Sequence, residues 1–335
     1  MIKLSVLDQS PIPEGKTAEE ALADTARLAQ ETEKLGFHRF WVSEHHFTRS
    51  LAGSSPEVLI SHLAAKTEKM RIGSGGVMLP HYSAYKVAEN FKVLEALYPN
   101  RIDLGLGRAP GGMPLATKAL QEGKISYADH YPQQIADLIS FLHDHEHPEY
   151  PGLRATPLIG TAPEIWLLGS SGGSALLAAQ QGAGYAFAQF INGEGGADVV
   201  RFYREHFRPS QLNQQPQTIL AIFVVCAETD DEAEHLAASL DLSLLLIEKG
   251  GAANGIPSVE TALRYPYSAY DRYRIKENRK RMIVGSKERV KERILQLGEE
   301  YGTEEFMIVT LMHDFASKLK SYRLLAEAFA LKKDC

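Results

Sequence analysis

The stretch ILAIFVVC at residues 219–226 contains no charged side chain and no turn-forming residue. A strand that is covered on both faces has such a continuous apolar sequence, whereas a half-exposed strand alternates apolar with polar residues. We therefore predict a parallel sheet with both faces buried. Eight candidate buried strands, several of them near-continuous apolar runs, occur along the chain, at 2–7, 37–42, 71–79, 101–106, 164–169, 183–188, 217–226 and 305–311.

Helical patterns separate these runs. Apolar residues recur every three to four positions in 21–35, 87–97 and 319–329, as in amphipathic helices. Strands that alternate with helices form right-handed βαβ units. Eight such units predict an α/β protein of the (β/α)8 TIM-barrel type. The intervals 107–163 and 227–304 exceed one unit, so we predict insertions there at the C-terminal face of the strands, where barrels keep their active sites.

Residues 282–284 form a possible ninth apolar run. Ser286 and the following KERVKERILQLG are more typical of a capped helix, so we leave this run out of the predicted barrel. Because no Pro-, Gly- or Ser-rich linker interrupts the chain, we predict a single domain over 1–335.

Composition and net charge indicate which class of protein this is. Hydrophobic residues are 44% and charged residues 23%, as in a soluble globular protein. The net charge of −6 gives no electrostatic attraction to nucleic acid or to an anionic membrane. The start MIKLSVLDQS does not have the pattern of a signal peptide, and no apolar stretch is long enough to span a bilayer. We expect a cytoplasmic protein.

Polar, titratable residues follow the second strand in WVSEHHF at 41–47. Catalytic groups collect where barrel strands end, and a histidine there can exchange protons near neutral pH, with Glu44 available to fix its tautomer. The alternative is a helix-start cluster with one histidine in the wall. In the next strand, Gly73, Gly75 and Gly76 suggest either close approach by a ligand or a tight barrel interior.

The strongest local pattern is LLGSSGGSALLAAQQG at 167–182, where a strand, a small-residue loop and a helix follow one another. Exposed amides and the helix dipole at such a start bind anions, so we predict a phosphate site there; the alternative is a plain serine-capped helix. Arg108 directly follows the fourth strand and can hold the same anion. The neighbouring LGLGRAPGG at 104–112 lacks the spacing of a dinucleotide-binding loop.

Three other segments are less specific. The tract HDHEH at 143–147 resembles a metal tract, but alternate residues do not share a helix face; we predict a solvated turn and no metal site. Cys226 should be a buried strand residue. Segment 247–281 has no clear periodicity and is either a mobile lid or a long loop.

Taken together, these stretches resemble the bacterial luciferase-like flavin monooxygenases. The similarity follows FHRFWVSEHHF, the segment 71–112, IWLLGSSGGSALLAAQQG and MIVGSKERVKERI in order along nearly the whole chain. It implies a TIM barrel that uses reduced FMN, supplied by a separate NAD(P)H:flavin reductase. It further implies O2 and a small organic substrate that is oxygenated through a C4a-peroxyflavin. Alternatives are a deazaflavin (F420)-dependent oxidoreductase and a non-catalytic FMN-binding or storage protein.

The resemblance also assigns roles to residues. His45 corresponds to the catalytic histidine, and Gly75 and Gly76 to a pair joined by a non-proline cis peptide under the flavin ring. The phosphate contacts correspond to Arg108, Ser170, Ser171, Gly172, Gly173 and Ser174. Gly107 replaces a reactive cysteine of luciferase and Ser170 an acidic residue, which argues against light emission and leaves the substrate open. The family relationship further implies a homodimer formed through helices at about 56–69 and 84–97.

Overall fold

A computed structural model describes residues 2–108, 112, 114–122, 130–250 and 254–332. The strands are β1 (Lys3–Asp8), β2 (Arg39–Val42), β3 (Arg71–Met78), β4 (Ile102–Gly107), β5 (Glu164–Gly169), β6 (Gly184–Ala188), β7 (Thr218–Ala227), β8 (Met282–Ser286) and β9 (Glu305–Val309). The helices are α1 (Ala18–Lys34), α2 (Pro56–Lys66), α3 (Ala84–Leu97), α4 (Pro114–Leu120), α5 (Tyr131–Leu142), α6 (Gly172–Gln181), α7 (Gly196–Glu205), α8 (Asp230–Glu248), α9 (Val259–Arg264), α10 (Ala269–Arg279), α11 (Lys287–Tyr301) and α12 (Phe315–Ala328).

Eight of these strands close into a parallel barrel, which confirms the predicted fold class. Strands β1 to β7 pair in chain order, β7 pairs with β9, and β9 pairs with β1. Along each strand the side chains alternate between the barrel interior and the surrounding helices. Strand β7 is buried almost throughout, because helices cover it outside and an apolar interior covers it inside. This explains the uninterrupted apolar run at 219–226.

The possible ninth apolar run is a strand, although it lies outside the closed barrel. Residues Met282–Ser286 pair with Phe223–Ala227 in the upper half of β7. Phe223 has Met282 as one partner and Val309 as the other. Since a strand residue has one neighbour on each side, β8 lies on the side of β7 that β6 occupies lower down. It therefore extends the sheet beside the closed barrel, and the predicted helix after it is α11.

The second insertion is more ordered than its sequence indicates. Segment 247–281 contains α9 and α10, which pack on α8 through a small apolar cluster around Leu242, Leu245 and Ala262. The part at 254–258 is tied to the loop after β1, since Ile256 donates to the Ile12 carbonyl and Glu14 donates to the Ile256 carbonyl. The prediction that 247–281 is a long loop was therefore wrong for the part of the segment that the structure describes.

The N-terminal end of the barrel is sealed by a buried ion cluster. Arg39 lies 2.8 Å from Asp103 and 2.6 Å from Glu305, and Arg71 lies 2.6 Å from the other oxygen of Asp103. The indole nitrogen of Trp41 donates to Asp103 at 2.8 Å. Paired arginines hold the pKa of Asp103 below its ordinary value against the opposing effect of burial. Four strands, β2, β3, β4 and β9, are thus joined at the end opposite the predicted site.

The histidine tract begins at His143, the C-cap residue of α5, and continues into the turn after the helix. His147 is buried, contrary to the predicted solvated turn, and its ring stacks on Phe141 at 4.9 Å between ring centres. His145 is exposed. No cluster of three His, Cys, Asp or Glu side chains suited to a metal occurs among the described residues. Cys226 is buried in β7, as predicted.

Candidate active site

The C-terminal ends of β1, β2 and β3 bring the first group of polar residues together. His45 follows β2, and its Nε2 lies 3.1 Å from the Nε2 of Gln9, which follows β1. The Gln9 amide donates to a neutral imidazole in this arrangement, so His45 accepts at Nε2 and carries its proton on Nδ1. Both side chains are partly buried. Ser43 is buried beside them, and its hydroxyl has no partner within the described residues.

Glu44 fixes His46 as part of a set of three hydrogen bonds. Its Oε1 accepts from His46 Nε2 at 2.7 Å and from the Tyr82 hydroxyl at 2.8 Å, and its Oε2 accepts from the Met78 amide at 2.9 Å. The Glu44 side chain is fully buried. Burial, followed by the nearby Glu44 carboxylate, raises the pKa of Tyr82. The two histidines of the WVSEHHF stretch therefore have different partners.

The glycines of β3 lie between the second and fourth strands. The peptide between Gly75 and Gly76 is cis, as the resemblance implies. A Cβ atom at Gly76 would lie 2.5 Å from the carbonyl oxygen of Gly105 and would also collide with Leu168. A Cβ at Gly75 would press on Leu7 and Trp41 at 3.0 and 3.1 Å. Close packing inside the barrel thus requires small residues here, whatever ligand binds above them.

A cavity of about 370 Å³ adjoins the ends of β4 and β5. Arg108, Gly173, Ser174 and Tyr131 line it, so the predicted arginine and helix start do converge. Side chains added at Gly172 or Gly173 would meet no atom within 4 Å. The backbone at this helix start is consequently open to a ligand.

The two serine hydroxyls at the start of α6 differ, since that of Ser174 is hydrogen-bonded within the loop and that of Ser171 makes no capping bond. Ser174 donates to the Ser171 carbonyl at 2.8 Å and contacts the Tyr185 hydroxyl at 3.1 Å. Ser171 is the N-cap residue of α6, but its side chain makes no capping hydrogen bond, and it is exposed together with the two glycines. An uncapped N-terminus of a ten-residue helix beside a guanidinium has the chemistry of a phosphate site. The residues present fit the phosphate end of a flavin mononucleotide.

The predicted site residues therefore form two groups at one end of the barrel. His45 and the pair Gly75–Gly76 follow or belong to β2 and β3, whereas Arg108 and the 170–174 loop follow β4 and β5. Sequence reasoning missed Gln9, Tyr82 and Tyr131. Gln9 lies two residues after the predicted strand 2–7, so its position was a usable signal. Tyr82 lies four residues after β3, which was a comparable signal, whereas Tyr131 follows no strand end.

Residues 2–305 match the model of the family described as luciferase-like monooxygenase. The chain belongs to this family. Two Bacillus subtilis relatives of this luciferase-like monooxygenase align over nearly its whole length. The uncharacterised protein YwcH is 61% identical over 98% of this chain and 100% of its own. The N-acetyl-S-alkylcysteine monooxygenase is 41% identical over 99% of this chain and 100% of its own.

Among solved structures, apo-MsnO8 is similar to this luciferase-like monooxygenase with a TM-score of 0.90 and 36% identity, each chain being covered completely. Two more distant structures share the fold. The oxygenating constituent of 3,6-diketocamphane monooxygenase from Pseudomonas putida, in complex with FMN, has a TM-score of 0.72 at 19% identity, covering 99% and 98% of the chains. An F420-dependent secondary alcohol dehydrogenase has a TM-score of 0.68 at 13% identity and 99% coverage of both chains. None of the described helices is long and apolar enough to cross a membrane.

Proposed function

We propose that this family member is a cytoplasmic two-component monooxygenase that uses reduced FMN, delivered by a separate NAD(P)H:flavin reductase, and O2. The observation that carries the proposal is the convergence of Arg108 and the open N-terminus of α6 on one cavity. An FMN phosphate carries the charge that this arrangement favours. Membership of a monooxygenase family supports the reaction type.

Each part of the site has a separate task in this proposal. Arg108, the α6 amides and the Ser171 hydroxyl bind the phosphate, and the backbone around Gly75–Gly76 supports the ring. When bound, reduced FMN supplies the electrons with which dioxygen is activated. His45 holds and transfers a proton, because a histidine titrates near neutral pH. The apolar interior excludes water from the reacting atoms.

We propose a thioether of the N-acetyl-S-alkylcysteine type as the first substrate class to test. The support is the relative of that name, which is 41% identical over the whole of both chains. Apolar side chains of the upper barrel suit an alkyl group; they are Leu7, Phe190, Phe223, Leu311 and Met312. A series of thioethers with increasing alkyl length should give products heavier by one oxygen atom. Release of hydrogen peroxide alone would exclude this substrate class.

Anaerobic titration tests the cofactor. Reduced FMN should bind more tightly than reduced riboflavin, because only FMN carries the phosphate, and more tightly than reduced F420. A preference for F420 would favour a deazaflavin-dependent oxidoreductase. FMN binding without substrate oxygenation, in the presence of a reductase and O2, would favour a storage protein.

Substitution of Ser171 by aspartate should weaken FMN binding at least tenfold, which corresponds to about 1.4 kcal/mol. A carboxylate at this N-cap would form the missing cap and repel the phosphate. Isothermal titration with FMN and riboflavin measures the effect. Ser268→Asp is the matched control, since Ser268 caps α10 elsewhere. Equal FMN affinity in wild type and Ser171→Asp would place the phosphate at another site.

We also propose a homodimer formed through α2 and α3. Most of the apolar stripe that the sequence shows on α3 belongs to the protein's own core, since Val87 and Phe91 are buried. Leu97, the last residue of that stripe, is 58% exposed, and two further apolar residues face outward, Val58 at 72% and Val93 at 47% exposure. A closed two-fold interface would bury such residues.

The double substitution Val58→Glu and Leu97→Glu should convert the dimer to monomers in sedimentation equilibrium, because four buried carboxylates would lie unpaired at the interface. Leu263→Glu, at a residue that is 62% exposed on α9, should leave the dimer unchanged. A wild-type monomer at all micromolar concentrations would refute the dimer. A double variant that remains dimeric would move the interface to another surface.

A further inference from the structure

We propose that Glu44 is a positioning residue that joins the ends of β2 and β3 and sets the tautomer of His46, so that the backbone beneath the flavin ring keeps its shape. The inference rests on the proposed FMN site. It assigns to Glu44 no contact with cofactor or substrate. Its basis is the set of three hydrogen bonds that one fully buried carboxylate accepts from three different segments.

The first hydrogen bond determines which ring nitrogen of His46 carries a proton. A carboxylate can only accept, so His46 Nε2, at 2.7 Å from Glu44, carries a proton. A neutral His46 must then present Nδ1 as an acceptor. The adjacent His45 has the opposite arrangement, because its Nε2 faces the Gln9 amide. Two consecutive histidines are thereby held in different tautomers by different neighbours.

The second bond concerns the backbone of β3. The Met78 amide donates to Glu44 Oε2 at 2.9 Å, and Met78 is only two residues beyond Gly76. The pairing of β3 with β4 shifts in register between Gly75 and Val77, so the ladder is irregular at this point. A charge-assisted hydrogen bond is about twice as strong as a neutral one. Glu44 therefore fixes the end of a strand whose regular pairing is interrupted beneath the proposed ring site.

The third hydrogen bond to Glu44 comes from the side chain of Tyr82. The Tyr82 hydroxyl donates to Oε1 at 2.8 Å, which completes the set of donors. Burial, and then the neighbouring Glu44, raise the pKa of Glu57 on α2. Removal of the Glu44 carboxylate would deprive all three donors of their acceptor.

Nuclear magnetic resonance of wild type and Glu44→Gln, with and without FMN, tests the inference. An amide cannot accept from all three donors, so we expect changed His46 ring ¹⁵N shifts, a changed Met78 amide shift and at least tenfold weaker FMN binding. Glu95→Gln is the matched control, because Glu95 is also fully buried. Its carboxylate accepts from the Asn100 amide just beyond the C-terminal end of α3. This substitution should leave all three readouts unchanged.

The outcomes separate this inference from the proposed function. Wild-type protein that does not bind FMN refutes the proposed function, whatever the His46 shifts show. Wild type that binds FMN, with Glu44→Gln matching it in either the shifts or the affinity, overturns the positioning role. If Glu44→Gln does not fold, Tyr82→Phe replaces it, since this change removes one donor and leaves no charge unpaired. An unaltered His46 ¹⁵N spectrum or an unaltered FMN affinity in Tyr82→Phe would likewise overturn the inference.

Discussion

Replacement of His45 by alanine is expected to lower oxygenated product formation by about 10²–10⁴-fold, the usual contribution of a general acid–base group. FMN affinity should stay within a few-fold of wild type, because the proposed phosphate contacts are made by residues after β4 and β5. Oxygen consumption should continue, with hydrogen peroxide replacing the oxygenated product. Product yield per reduced FMN, measured by mass spectrometry, is the decisive quantity.

A histidine outside the site provides the control for this experiment. His206→Ala changes an exposed residue after α7 and should leave product yield unaltered. Gln9→Ala should give a smaller loss than His45→Ala, since Gln9 only orients the imidazole through its contact at 3.1 Å. Full oxygenation by His45→Ala would show that His45 is a wall residue with no part in proton transfer.

Replacement of Asp103 by alanine is expected to lower the free energy of unfolding by about 3–5 kcal/mol. Asp103 is completely buried and receives hydrogen bonds from Arg39, Arg71 and Trp41. Its removal takes one neutralising carboxylate from two buried guanidinium groups and leaves one indole N–H without an acceptor. Urea unfolding, monitored by far-ultraviolet circular dichroism, measures the loss through the transition midpoint.

Two comparisons show whether the loss comes from the buried cluster. Asp198→Ala breaks an exposed pair with Arg201 and should cost less than about 1 kcal/mol. Folded Asp103→Ala should still bind FMN normally, because the cluster lies at the opposite end of the barrel. A midpoint for Asp103→Ala as high as that of Asp198→Ala would mean that the cluster contributes little net stability.

Periodicity predicted the barrel because its strands are short, buried and regularly spaced. It did not predict β8, whose apolar residues number only three before a glycine and a serine, and which becomes a strand through pairing with the upper part of β7. It also missed α10, because AYDRYRIKENR has few apolar positions. Salt bridges such as Arg274–Glu248 attach that helix to α8.

The positions of candidate site residues followed from a simple rule, namely that polar residues after barrel strands meet at one end. This rule predicted the convergence of Arg108 with the α6 start. It could not predict the partner of Glu44, since two adjacent histidines were available and side-chain direction decides between them. The rule could not predict the Asp103 cluster either. Its charged residues lie inside strands and are far apart in the sequence, since Asp103 and Glu305 follow Arg39 by 64 and 266 residues.

The pairing of β1 with β9 has a consequence for biosynthesis. The Ser5 hydroxyl in β1 donates a hydrogen bond to Glu305 in β9, 300 residues later. Strand β1 must therefore wait until about 300 further residues have been synthesised before β9 can cover one of its two edges. An exposed parallel edge can pair wrongly with other chains. During that interval β2 protects only the other edge, so the nascent chain has a period of aggregation risk that ends when residues 305–309 emerge.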